Sequence, residues 1–295
     1  TESETYTTSE YGARAAVAAE IAKTTPEDAT ASGTRFDVRA RGDAHESVAD
    51  VLADAPGARV QSTGGVGAPS RVSLRGTGAE HTTVLLGELP LNTEDTGAFD
   101  LSLVPLAALD AIEVYRGGAP VWWSDGAIGG VVRLLPRVAD RSYLRAEVGL
   151  GSFGQRELST SSGVATSHGA RPSFFSHVAL SQADNDYAYV DDGQTRFYAS
   201  DDVVLHQRNA ERTAGDALAH FGIDLAGGRL EAVVNGHART EGIPGPLATP
   251  TLHTHRQLLR MLAALGFTKE QRRSDGERSY RLQALASVNL QNNRF

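Results

Sequence analysis

The 295-residue chain contains no cysteine, so disulfide staples and thiolate metal sites are excluded, and the redox compartment is left open. It has no run of 18 apolar residues, so no helix of the sequence is expected to span a membrane. Basic residues do not dominate. Lys and Arg number 28 against 36 Asp and Glu, a net charge of −8, and there is no global positive field for nucleic acid. Aromatics are sparse at 6%, and mean hydropathy is −0.27. That value resembles a water-soluble protein. It equally fits strands whose side chains alternate between lipid and a polar lumen. Nucleophile motifs of the G-x-S-x-G type are missing, and His253 with His255 lacks a third ligand, so an enzyme is not expected.

What is present is glycine, 31 residues of it, concentrated in places where strands meet. The phrase SDGAIGGVVRLLP (124–136) sets Gly126, Gly129 and Gly130 before a strand. A phosphate-binding loop would need a following helix or a Gly-Lys-Ser/Thr ending, and neither is there. Close approach of backbones, with positive φ, is the better reading.

The chain divides by pattern into three parts. Residues 1–34, rich in Thr, Ser, Ala and Glu, read as a flexible tail with a weakly helical stretch at Ala13–Lys23. Residues 35–140 read as a compact unit of mixed short elements. A strand is expected at Phe36–Arg41, a helix within His45–Val60 that Pro56-Gly57 stops, and strands at Arg71–Gly76 and Thr82–Leu91. A short helical stretch LVPLAALDAI then leads into the strand Ile112–Gly117. Residues 141–295 alternate with period two. Leu144, Ala146, Val148 and Leu150 share one face against Arg145, Glu147 and Gly149, and Tyr280, Leu282, Ala284, Ala286, Val288 and Leu290 share another. About seven strands are expected, several near the length of a tilted membrane strand. Short turns at 167–172, 227–228 and 274–277 oppose long loops at 183–212 and 239–257, the asymmetry of an outer-membrane barrel. A soluble β-sandwich is the alternative, since alternation alone does not say which face meets lipid.

The order of the middle elements carries a family resemblance. STGGVGAPSRVSLRGTGAEHTTVLLGELPLN, followed by DLSLVPLAALDAIEVYRGGAPVWWSDGAIGGVVRLLP, resembles the plug domain of TonB-dependent outer-membrane receptors, and within them the cobalamin-receptor branch. The matching pieces are Leu74-Arg75-Gly76, the strand before Asn92, Asp100-Leu101-Ser102 with Pro105, Ile112 to Gly117, and Ser124 to Val132. Val121-Trp122-Trp123 and Gly87-Glu88 depart from the family pattern. The resemblance implies an α+β plug followed by antiparallel transmembrane β-barrel strands. Plugged barrels close with roughly 22 strands, and open sheet edges are not tolerated in hydrocarbon, so the chain reads as the first part of a longer receptor.

The resemblance also implies roles. Energised uptake of a scarce nutrient, a corrinoid or a metal chelate, at the bacterial outer membrane is the expected function, with the TonB complex and membrane lipid as partners. A non-transporting surface receptor and a truncated remnant are the alternatives. TonB would pair by strand addition with a segment of the tail, for which Glu10, Tyr11, Gly12, Ala13, Arg14, Ala15, Ala16 and Val17 are the candidates, a plain linker being the alternative. Arg75, Glu113 and Arg116 would hold plug to barrel through barrel carboxylates such as Glu147, because an unpaired buried arginine is costly. Ligand would meet the outward plug loops, where Thr63, Gly64, Gly65, Asn92, Thr93 and Thr96 offer hydrogen bonds with little bulk, unless these are merely turns. Asp184, Asp186, Asp191 and Asp192 lie in an acidic loop of the kind that suits Ca²⁺. A solvated acidic loop is the other reading of them, and no further cofactor is expected.

Overall fold

The computed structural model describes residues 33–39, 46–93, 96–116, 128–166, 168–192, 200–225, 227–245, 250–272 and 279–294. The candidate TonB segment, Gly126 and the Trp122-Trp123 pair lie outside these. The chain forms two compact units. The first comprises residues up to 61, 70–101 and 109–136, and the second 62–69, 102–108 and 137–295.

The first unit is built on a five-stranded mixed sheet. Its strands are β1 (Gly33–Asp37), β4 (Thr82–Leu86), β5 (Leu89–Pro90), β6 (Leu109–Tyr115) and β7 (Gly130–Pro136), in the order β1-β6-β7-β4-β5. Only β4 and β7 run parallel, and the other pairs are antiparallel. A separate hairpin pairs β2 (Ala58–Ser62) with β3 (Ser70–Leu74). Helix α1 (Val48–Ala53) is capped by Ser47, whose hydroxyl accepts from the Asp50 amide at 3.2 Å while the Asp50 carboxylate accepts from the Ser47 amide at 2.9 Å. Val48, Val51 and Leu52 are buried from that helix, and Phe36, Leu74, Leu85, Leu109, Ile112 and Tyr115 from the strands. Each such side chain contributes roughly 1.5–3 kcal/mol of burial.

Several boundaries differ from the sequence reading. The strand expected at Phe36–Arg41 begins at Gly33, because β1 takes its register from β6, with Phe36 opposite Ile112. Helix α1 is one and a half turns long. It ends at Ala53, ahead of the Pro56-Gly57 stop; Gly57 sits at φ +75°, and strand β2 follows it. LVPLAALDAI is not a helix. Its first residue, Leu103, closes a 3₁₀ turn begun at Leu101, and Leu106–Ala108 forms another beyond Pro105, which lacks the amide to continue a helix. Leu109 and Asp110 already belong to β6. The Thr82–Leu91 strand folds back at Gly87 (φ +61°) to make β4 and β5.

The glycines before β7 act by close packing. Gly130 lies at φ +142°, and a Cβ on it would overlap the Tyr115 carbonyl oxygen. The Gly129 amide donates to the His81 carbonyl at 3.0 Å, and a Cβ there would strike the Thr77 hydroxyl. The crowding comes from within the first unit.

The second unit is a seven-stranded antiparallel sheet. Its members are β8 (Tyr143–Leu150), β9 (Arg156–Ala165), β10 (Ser173–Ala183), β13 (Arg212–Leu225), β14 (Gly228–Gly242), β15 (His255–Arg272) and β16 (Ser279–Arg294), each paired to the next in sequence. A small hairpin of β11 (Ala188–Asp191) and β12 (Val203–His206) interrupts the crossover from β10 to β13. One strand escaped the sequence reading. RELSTSSGVA carries few β-branched or aromatic residues, and serines Ser159 and Ser161 fill its buried face.

The two faces of this sheet differ sharply. Leu144, Val148, Leu158, Val178, Val234, Leu259, Met261 and Leu265 are exposed on one. On the other, His177, Arg212, His220, Asn235, His237, Arg239, Glu241 and Arg260 are buried. Gly236, on β14, has nothing within 4 Å of where a Cβ would stand. Gly130→Ala is therefore expected to lower stability by roughly 1–3 kcal/mol, whereas Gly236→Ala is neutral. Thermal unfolding of the full-length protein checks both, and equal midpoints for the two variants would contradict the packing account.

Candidate ligand-facing site

The connections of the second sheet fall at two ends. At one lie 166–172, 226–227 and 273–278, all short. At the other lie the turn 151–155 and the long connections 184–211 and 243–254. The sequence reading had the long loops but not the tight first turn that shares their end. Residues 62–69, which link β2 to β3, pack at this same long-loop end within the second unit.

Two asparagines organise this end, both in left-handed backbone conformation, which Asn tolerates better than other side-chain-bearing residues. Asn185 (φ +52°) is 3% exposed. Its Oδ1 accepts from the Val66 amide at 3.0 Å and its Nδ2 donates to the Ala210 carbonyl at 3.1 Å. Asn209 (φ +55°) points its Nδ2 at three carbonyls, Ile243 at 2.9 Å, Thr254 at 3.0 Å and Thr251 at 3.1 Å. Asn209 thus ties the β14–β15 loop to the base of β13. Around them, the Phe153 carbonyl accepts from the Asp184 and Asn185 amides at 2.9 and 3.1 Å, and the Phe153 and Tyr187 rings meet edge to face at 6.0 Å. No sequence motif marks either asparagine; single Asn residues in polar loops carry no periodic signal.

The wall below is charged and paired. Glu241 accepts from Arg256 Nε at 2.7 Å and lies 3.3 Å from Arg239 Nε. Arg239 Nη1 donates to the Ser102 hydroxyl at 2.7 Å. His237 Nδ1 and the Asp216 carboxylate are 2.6 Å apart, on directly opposed positions of β13 and β14. Charge survives burial here because each group has a counter-charge or a hydrogen bond.

The residues expected to meet ligand divide between the two units. Thr63 and Gly64 are exposed and Gly65 half-buried, all at the long-loop end of the second unit. The Thr63 hydroxyl donates to the Pro69 carbonyl at 3.2 Å. Asn92, Thr93 and Thr96 belong to the first unit. The Asn92 amide is occupied there: Oδ1 accepts from the Val84 amide at 2.7 Å, and Nδ2 donates to the Gly97 and Thr82 carbonyls at 2.7 and 2.9 Å. Thr93 and Thr96 bond each other through their hydroxyls at 2.8 Å. This trio holds its own turn.

Arg75, Glu113 and Arg116 are not gathered into one cluster. Arg75 is exposed at φ +56° after β3. Glu113, 0% exposed, meets Arg35 at 2.7 Å, the Tyr115 hydroxyl at 2.9 Å and Arg133 at 3.4 Å, which joins β1, β6 and β7. Arg116 donates to the Thr34 hydroxyl at 2.8 Å and the Pro56 carbonyl at 3.2 Å. The partners seen here for Glu113 and Arg116 lie within the first unit. Glu147, suggested as such a carboxylate, bonds Arg145 at 2.5 Å.

The aspartates considered for Ca²⁺ do not converge. Among the described residues no group of three or more His, Cys, Asp or Glu side chains is placed to hold a metal ion. The Asp184 carboxylate packs against Gly154, Asp191 ends β11, and residues 193–199 lie outside the description.

Asn209→Gly keeps the left-handed backbone and removes the three carbonyl contacts. Proteolysis within 243–254 should rise on the order of tenfold while the global unfolding midpoint stays put. Cleavage unchanged from the unsubstituted protein would show that another contact holds the loop.

With this geometry in view, similarity to known proteins is informative. The protein-family model described as TonB-dependent Receptor Plug Domain matches residues 23–131. A vitamin B12 transporter BtuB from Vibrio vulnificus is 38% identical over 104 residues, 35% of this chain and 17% of that protein. BtuB from Vibrio cholerae is 29% identical over 167 residues, 54% of this chain and 27% of that protein. Among solved structures, the copper transporter OprC superposes with a TM-score of 0.63 at 17% identity, covering 86% of this chain and 37% of that one. The ferric enterobactin receptor PfeA of Pseudomonas aeruginosa does so with a TM-score of 0.62 at 15% identity, covering 94% and 42%. The chain therefore spans about a quarter or less of the two curated relatives, and the solved structures speak for the fold alone. Residues 23–131 thus match a TonB-dependent receptor plug domain, similar in sequence to that of vitamin B12 transporters, and the antiparallel strands that follow share the fold of solved receptor barrels.

Proposed function

We propose that the chain forms the plug and first barrel strands of an outer-membrane receptor that takes up a corrinoid, energised by TonB. The observation that carries this reading is the second sheet. Its exposed apolar face suits lipid and its buried face is polar and charged, and it comes directly after a plug-family domain in the chain. A corrinoid is favoured over other metal chelates because the sequence relatives covering the plug are named as vitamin B12 transporters. Copper and iron receptors share the fold only.

In this mechanism ligand settles at the long-loop end, over the exposed Thr63 and Gly64. TonB pairs with an extended tail segment, Glu10 to Val17, on the opposite side of the membrane. Pulling on that segment loads β1 first, since it is the edge strand nearest the tail. The plug then rearranges and opens a path. No covalent chemistry is required of any residue.

The test is uptake of labelled cyanocobalamin by cells whose only corrinoid receptor is the full-length protein. Uptake is expected, and deletion of residues 10–17 should abolish it while cell-surface binding persists. Binding without uptake by the intact receptor would favour a non-transporting receptor. Absence of binding would remove the corrinoid from the proposal.

A further inference from the structure

Residues 62–69 close on themselves but do not place themselves. The Thr63 amide donates to the Pro69 carbonyl at 3.1 Å and the Ala68 amide to the Gly65 carbonyl at 3.2 Å, which fixes the loop's shape. Its position comes from outside the loop. The Val66 amide donates to Asn185, and Asn185 in turn donates through its side chain to Ala210 and through its backbone to Phe153. One buried residue thereby joins the 62–69 loop, the 151–155 turn and both ends of the long β10–β13 crossover.

The loop sequence is fitted to this neighbour. A Cβ on Gly65 would stand 2.5 Å from Asn185 Oδ1 and 2.8 Å from its Cγ. Gly67, at φ +72°, has the Arg212 guanidinium where its Cβ would be, and Arg212 Nη1 donates to the Ser181 hydroxyl at 3.3 Å. Glycine at 65 and 67 is what lets the loop sit down on Asn185 and Arg212. With its inner edge held so, the loop presents Thr63 and Gly64 outward.

We propose that Asn185 is the positioning residue of the ligand-facing loop. It fixes where Thr63 and Gly64 stand, and it links their position to the base of the β10–β13 crossover. A ligand touching the exposed edge is then read by the long loop through a single amide. The part concerning ligand rests on the corrinoid reading above; the part concerning loop placement does not.

The test uses the full-length receptor and two substitutions. Asn185→Gly removes the amide and retains the left-handed backbone. Asn185→Asp keeps an acceptor for Val66 and loses the donor to Ala210. Hydrogen exchange is monitored in peptides covering 62–69, and cyanocobalamin affinity is measured in parallel. In Asn185→Gly, exchange at 62–69 should quicken and affinity fall, each on the order of tenfold, the effect of one lost buried hydrogen bond. Asn185→Asp should leave 62–69 better protected than Asn185→Gly does, because the acceptor for the Val66 amide remains, a difference that loss of the Ala210 contact alone would not give. If Asn185→Gly does not fold, Gly65→Ala serves, since its methyl pushes the loop off Asn185 and should give the same faster exchange. Unchanged exchange in the folded variant overturns the proposal. If the unsubstituted receptor binds no cyanocobalamin, the corrinoid reading fails and the exchange measurement still decides the role of Asn185.

Discussion

A strand that meets an apolar medium on one face and a packed interior on the other can carry charge on the second face only if that charge is paired. In the seven-stranded sheet the charges of the buried face meet a counter-charge or a hydrogen-bonding side chain. Its exposed face carries Leu, Val and Met, and its buried face holds Arg212, Arg239, Glu241, Arg260 and three histidines, His177, His220 and His237. Removing one partner of a buried pair costs about 3–5 kcal/mol, because the other charge is stranded. That cost explains why Glu241 stands between Arg239 and Arg256, and why Asp216 faces His237 across the register. The same rule governs the first unit on a smaller scale, where the fully buried Glu113 draws on Arg35, Arg133 and Tyr115.

Dense polar packing has a second consequence: backbones must come close, and side chains that would intervene are absent. Gly130 passes over the Tyr115 carbonyl, and Gly65 and Gly67 make room for Asn185 and Arg212. Where the loops must also supply donors, Asn185, Asn209 and Asn92 provide what glycine cannot. They combine tolerance of unusual backbone, in the first two, with an amide that bridges loops. The long-loop end is thereby assembled from polar connections that would otherwise be unrestrained.

The broad architecture was legible because it rests on periodicity. The alternation of Leu144 to Leu150 and of Ala284 to Leu290 reports strands with one apolar face, whatever their partners. The plug was legible through an ordered set of short phrases. Features that depend on tertiary choice were less legible. LVPLAALDAI has helical spacing, yet Pro105 and the pairing of β6 with β7 turn it into a 3₁₀ turn and the start of a strand. RELSTSSGVA carries no apolar alternation to mark it as a strand, and its serines face the buried side. Of the proposed contact residues, Thr63 to Gly65 were visible as a glycine-rich loop. Asn185 was not, since its role is set by a neighbour 119 positions away.

The central claim is that the exposed face of the second sheet meets lipid. The chain's lack of cysteine makes a direct measurement possible. Single cysteines at Val178, Val234 and Met261, and at the inward neighbours His177, Asn235 and Leu262, would be introduced into the full-length protein in lipid vesicles. A fluorophore on each would be challenged with a quencher attached to lipid acyl chains and with a water-soluble one. The account predicts strong acyl-chain quenching at 178, 234 and 261 and none at 177, 235 and 262. Equal access of the water-soluble quencher to all three outward positions would contradict it and leave a soluble sandwich in its place.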